Sequence, residues 1–187
     1  MKTKWALSEL KKYQDLPLSI EGTVDFEQSL KDRDHEVLSV APITLKGTLE
    51  NDKNEAYFVD LLITTELTLP SSRSLEPVTV PLSFYFSEIY LPTQSSVTAD
   101  SFTEGEIVEE LDSDTLDLQK PIEDAILTSK PTQVYTEEEY QSDTMPRGND
   151  WEVVGEDDLQ NPSRTSGKDT EDPRFAALKN LFKDDNE

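Results

Sequence analysis

The stretch YFVDLLITTELTLPSSRSLEPVTVPLSFYF, residues 57–86, reads as two strands and the loop between them. Tyr57, Val59, Leu61, Ile63, Leu67 and Leu69 alternate with Asp60, Thr64, Glu66 and Thr68, and successive side chains of a strand point to opposite faces. Phe58 and Leu62 make the first half of this strand apolar on both sides. PSSRSLEP, residues 70–77, has the composition of a loop, after which Val78, Val80, Leu82, Phe84 and Phe86 share one face of a second strand. Pro81 falls on the opposite face and cannot donate to a ladder, which predicts an edge position or a bulge.

The same period extends upstream. Leu18, Ile20, Val24 and Phe26 mark one half-buried strand and Ile43, Leu45 and Leu49 another, with NDKNE, residues 51–55, as the turn that leads into Tyr57. WALSELKKY, residues 5–13, places Trp5, Leu7, Leu10 and Tyr13 near helical spacing, and KDRDHE, residues 31–36, reads as a charged loop. Downstream, Leu118, Ile122, Ala125 and Ile126 lie on one helical face; Asp117 stands at the cap position, Pro121 is in the tolerated first turn and Lys130-Pro131 is the stop. The expected fold class is α+β: a β-rich antiparallel sheet or small open barrel over residues 1–130, with a few short helices.

Composition changes beyond that point. The chain of 187 residues has 40 acidic and 17 basic side chains, for a net charge of -23. Residues 1–100 carry a net -7 and residues 101–187 a net -16, and its apolar share of 34% is below the globular norm of about 45–50%. Residues 131–171 therefore read as a long acidic, largely disordered linker in which WEVV, residues 151–154, is an apolar anchor. DPRFAALKNLF then opens a helix over residues 172–183: Asp172 is the N-cap, Pro173 the first helical residue, and Lys179 and Lys183 complement the dipole. Phe175, Leu178, Leu181 and Phe182 form its stripe. A helix of about 12 residues is marginal in water, so this one needs a surface.

Most catalytic chemistries are excluded. There is no cysteine, hence neither disulfide nor thiolate metal site, and no glycine-rich phosphate loop. The one histidine, His35, sits between Asp34 and Glu36 with no nucleophile to activate. DSDTLD, residues 112–117, lacks the glycine and terminal glutamate of a calcium loop, so no metal or other cofactor is expected. Clustered Lys and Arg for phosphate contact are missing, and the acidic field repels nucleic acid while attracting basic proteins. Neither an apolar leader nor a membrane-length segment occurs, which points to a cytoplasmic protein without a membrane partner.

MKTKWALSELKKY at the start, LPSSRSLEPVTVPLSFYFSEIY in the middle, LDLQKPIEDAILTSKPTQVYTEEE further on and DPRFAALKNLF at the end resemble, in this order, the YceD family, the bacterial large ribosomal RNA subunit accumulation protein. The resemblance implies a non-enzymatic ribosome-biogenesis factor supporting synthesis, processing or stability of 23S ribosomal RNA. It also implies binding roles for Arg73, Glu76 and Pro77 in the loop and for Asp172, Pro173, Arg174, Leu178 and Lys179 in the terminal helix. Many members carry cysteines around the loop arginine, as Cys-x-Arg-Cys, and a cysteine knuckle before the terminal helix. Here the loop reads Ser71-Ser72-Arg73-Ser74 and the knuckle is acidic, so the chain is similar to a cysteine-free branch seen in Gram-positive bacteria, without zinc. The expected partner is a basic ribosomal protein or a large-subunit assembly intermediate; ribosomal RNA is contacted indirectly and no small-molecule substrate is involved. Two alternatives predict different behaviour. A carboxylate- and metal-dependent nuclease would cleave precursor RNA through Asp112 or Asp114, and a general acidic holdase would bind any basic protein. Arg73 has two readings: a loop arginine paired with Glu76 or a C-terminal carboxylate, or a guanidinium presented to a partner.

Overall fold

The computed structural model describes residues 1–53, 55–141, 148–149 and 153. The chain divides into two units, Met1–Ser142 and Asp143–Glu187, and the fold below is that of the first. In chain order its elements are β1 (Lys4–Ala6), α1 (Leu7–Leu10) with a following 3-10 turn (Lys11–Tyr13), β2 (Leu18–Val24), α2 (Glu27–Arg33), β3 (Ser39–Val40), β4 (Ile43–Asp52), β5 (Ala56–Pro70), β6 (Pro77–Pro92), β7 (Val108–Leu111), β8 (Thr115–Asp117), α3 (Gln119–Thr128) and α4 (Glu137–Gln141). WEVV and the helix expected over residues 172–183, with Asp172, Pro173, Arg174, Leu178 and Lys179, lie outside the described residues.

The long β5–β6 hairpin is the spine of an open sheet ordered β2-β4-β5-β6-β7, with β3 paired to the far half of β5. Its register runs unbroken from Tyr57 opposite Tyr90 to Pro70 opposite Pro77. The pairs are antiparallel except β6 with β7, which is parallel, so the sheet is mixed where an antiparallel one was expected. Pro81 is indeed on an edge: β5 flanks β6 along its length, whereas β7 pairs only with Ile89–Pro92.

Alternation sorts the two faces. Val59, Leu61, Ile63 and Leu67 on β5 and Ile43, Leu45 and Leu49 on β4 are buried, under a layer formed by Trp5, Leu10, Leu30, Leu116, Ile122 and Ile126. Burying each of these larger side chains contributes about 1.5–3 kcal/mol. β1 and β8 form a separate antiparallel ribbon in that layer, with Trp5 opposite Leu116. The opposite face is rich in hydroxyls, and cross-strand neighbours such as Thr64–Ser83 and Thr68–Thr79 (each 3.4 Å) and Ser87–Asp60 (2.7 Å) meet there. Phe58 packs on that face edge-to-face with Phe102, at 6.2 Å between ring centroids, which accounts for the two-sided apolar start of β5. Gly47 allows β4 and β5 to approach: a Cβ there would lie 1.9 Å from the Asp60 carbonyl oxygen.

Three expectations need correction. The helix expected over residues 5–13 is one turn, Leu7–Leu10, because Trp5 joins the β1–β8 ribbon. Residues 31–36 are not all loop: Glu27–Arg33 is helical, its start held by Asp25 accepting from the Glu27 N–H (3.0 Å) and its single apolar anchor, Leu30, fully buried. Residues 93–116, which carry no period, contain β7 and the start of β8. The α3 helix forms as expected, and Asp117 accepts from the Gln119 N–H (3.1 Å) at its start.

Candidate functional site

Two places concentrate polar chemistry. The first is the β5–β6 loop. Its ends are closed by Ser71 N–H donating to the Glu76 carbonyl (2.8 Å), and Leu75, exposed, takes a left-handed φ of 65°. Buried Ser71 turns its Oγ inward to accept from the Arg73 and Ser74 N–H groups (3.1 and 3.3 Å).

A later segment is laced onto this loop. Ser72 N–H donates to the Val134 carbonyl (2.7 Å), and Val134 N–H donates to Ser72 Oγ (3.0 Å). The Glu139 carboxylate accepts from Ser71 Oγ (2.5 Å), Ser74 N–H (2.9 Å) and Thr136 N–H (2.7 Å). Thr136 Oγ1 in turn accepts from Glu139 N–H (3.2 Å), so Thr136-x-x-Glu139 is a capping box for α4. Hydrogen bonding, first of all from Ser71, pulls the Glu139 carboxyl down to about 2. Arg73 Nη1 donates to the Glu139 carbonyl (3.0 Å), its guanidinium lies 4.8 Å from the centroid of the Tyr135 ring, and Tyr140 meets that ring edge-on.

The loop residues singled out in the sequence are therefore differently placed. Among the described residues Arg73 pairs with neither Glu76 nor another carboxylate; its partners there are a carbonyl and an aromatic face from residues 135–139. Glu76 and Pro77 are exposed beside it. Packing continues past residue 130, where the sequence reading ended the domain, to α4. Ser71 and Ser74, which stand where the family resemblance puts cysteines, both bind Glu139. The sequence signal for this segment was the capping box TEEE, residues 136–139, hidden in an acidic run.

The second place is a cleft of about 960 Å³ between the end of β6, β7, β8 and the start of α3. Carboxylates dominate its described lining, among them Glu88, Glu109, Asp112, Asp117 and Asp124. Glu123, buried at its floor, accepts from Arg33 Nη1 (3.0 Å) and Gln119 Nε2 (2.9 Å), while the other arm of Arg33 binds Asp124. Burial pushes the Glu88 carboxyl up, against a hydrogen bond from Tyr90, and the charges of Glu109 and Asp124 push it the same way. Burial likewise raises the Tyr90 hydroxyl. Such a site favours an incoming cation. Nothing among the described residues groups His, Cys, Asp and Glu side chains as metal ligands, and no described helix is long and apolar enough to cross a membrane.

The family model described as large ribosomal RNA subunit accumulation protein YceD matches residues 59–182, which takes in the loop, α4 and the cleft lining apart from Arg33. The chain belongs to the YceD family. A YceD-family relative in Bacillus subtilis (strain 168), the uncharacterized protein YlbN, is 28% identical over 185 residues, covering 98% of this chain and 99% of the relative. No solved structure matches the chain. The YceD description concerns large ribosomal RNA accumulation, a ribosome-biogenesis role, and names no partner and no reaction.

Proposed function

We propose that this chain is a non-enzymatic ribosome-biogenesis factor of the cytoplasm that supports accumulation of 23S ribosomal RNA. It does so by transiently holding a basic ribosomal protein or an assembly intermediate, so that the RNA is reached through that partner. The observation that carries this reading is the pairing of YceD membership with a carboxylate-lined cleft on a chain of net charge -23. A surface of that sign speeds encounter with basic proteins and resists direct contact with RNA.

The test is depletion of the protein with measurement of 23S against 16S ribosomal RNA, together with co-sedimentation of tagged protein with large-subunit precursors. The expected outcome is a selective fall in 23S RNA and recovery of basic ribosomal proteins in a salt-sensitive complex. Recovery of naked RNA without a basic protein would overturn the mechanism, and equal binding of histones would turn it into a general holdase. Magnesium-dependent cleavage of precursor RNA by the purified protein would overturn the non-enzymatic assignment.

A further inference from the structure

The hydrogen-bonding directions along β6 can be read residue by residue. Glu66 and Thr68 on β5 accept from Ala41 N–H and Leu38 N–H (each 2.9 Å), so their backbone groups face away from β6. Their partners across the hairpin, Pro81 and Thr79, therefore face away from β5 as well. Because the register is unbroken, the same orientation holds for Ser83, Tyr85, Ser87 and Ile89. Ile89 confirms it by donating to the Ile107 carbonyl (2.9 Å).

Above Ile89 this edge is taken by β7; below it, nothing among the described residues pairs with it. The turn Thr103–Glu106, closed by Glu106 N–H to the Thr103 carbonyl (3.1 Å), carries the chain away, with Gly105 at φ +104°. Ser83, Tyr85 and Ser87 thus present three outward N–H groups in a row, and Tyr85 is 86% exposed. Edges are normally guarded by lysine, proline or a bulge. β6 contains no Lys or Arg, and of its three prolines only Pro81 adjoins the row, where it removes a donor at the near end.

We propose that the β6 edge from Pro81 to Ser87 is a strand-addition site for an extended, basic segment of a partner protein. Backbone pairing supplies the affinity in this mode, and the flanking side chains supply the specificity. The flanking charge is negative on both sides: Asp60 and Glu66 stand on neighbouring β5, and Glu88 leads from the edge into the cleft beside Glu109 and Asp124. A second copy is disfavoured, since each carries a net -23. The inference rests on the reading that the partner is basic, and it names where that partner is held.

The test uses the full chain and a synthetic peptide of roughly eight residues alternating lysine and valine, with an acidic counterpart and a version N-methylated at alternate residues. Binding is followed by fluorescence anisotropy and by exchange protection of the Ser83, Tyr85 and Ser87 amides. The basic peptide is expected to protect those amides, and the acidic and N-methylated peptides are expected not to bind. Ser83→Pro repeats what Pro81 does two residues earlier and spares the β5 ladder; it should weaken binding about tenfold. Pro81→Thr adds a donor and should strengthen it. Circular dichroism melts check that both variants are folded. Unprotected amides, equal binding of the N-methylated peptide, or peptide-driven dimerisation would overturn the site. If Ser83→Pro co-sediments with precursors as wild type does, the edge is not the docking site although the biogenesis role stands; failure of wild type to co-sediment would count against that role itself.

Discussion

Protonating the single carboxylate of Glu139 would weaken its acceptance from Ser71, Ser74 and Thr136 together. Its folded value, about 2, lies below the ordinary 4.5, so the unfolded chain takes up the proton first as pH falls. The contribution is complete above about 4.5 and disappears as pH falls through about 2. Glu139→Gln should accordingly destabilise the protein at neutral pH, and the gap to wild type in urea melts should close towards pH 2. A gap that stayed constant with pH would mean that Gln fails for a reason other than charge. Gly47 tests backbone proximity instead: Gly47→Ala forces β4 and β5 apart at a rigid carbonyl and should cost about 2–3 kcal/mol in chemical denaturation.

At the scale of elements, the lacing of residues 134–141 onto the β5–β6 loop predicts protease behaviour. Arg73 is held by Tyr135 and Glu139 in the intact chain. Truncation after Lys130 should leave the sheet folded by circular dichroism but make trypsin cut after Arg73 several-fold faster than in the full chain. Unchanged cleavage would show that the loop is rigid by itself. The β5–β6 hairpin was legible in the sequence because most of its length alternates with period two around a loop of turn-forming residues. β7 was not, because it is half-exposed without alternation, and α2 was not, because one leucine anchors a charged helix. The cleft was invisible for another reason: Glu88, Glu109 and Asp124 are distant in sequence and meet only through the β6–β7 pairing and α3. Arg73 was legible from its loop; its contacts with the Tyr135 ring face and the Glu139 carbonyl were not, because neither is made through a side-chain charge.

For the whole molecule, a net charge of -23 sets self-repulsion against folding. Added salt shortens the range of that repulsion from about 30 Å at 0.01 M to about 10 Å at 0.1 M. The melting temperature should rise over this interval; a fall would indicate that ion pairs such as Lys130 with Asp34 and Glu36 (each 2.6 Å) outweigh the repulsion. The β1–β8 ribbon bears on something else, the order in which the chain is made. Among the described residues Lys4–Ala6 pairs only with Thr115–Asp117, which is synthesised roughly 110 residues later, or about 5–20 s at ordinary elongation rates. Trp5 lacks Leu116, its cross-strand partner, through that interval, so its emission in stalled nascent chains should turn blue only once the stall point passes α3. On a translating ribosome, residues 4–6 find their strand pairing late, after most of the described sheet has been made.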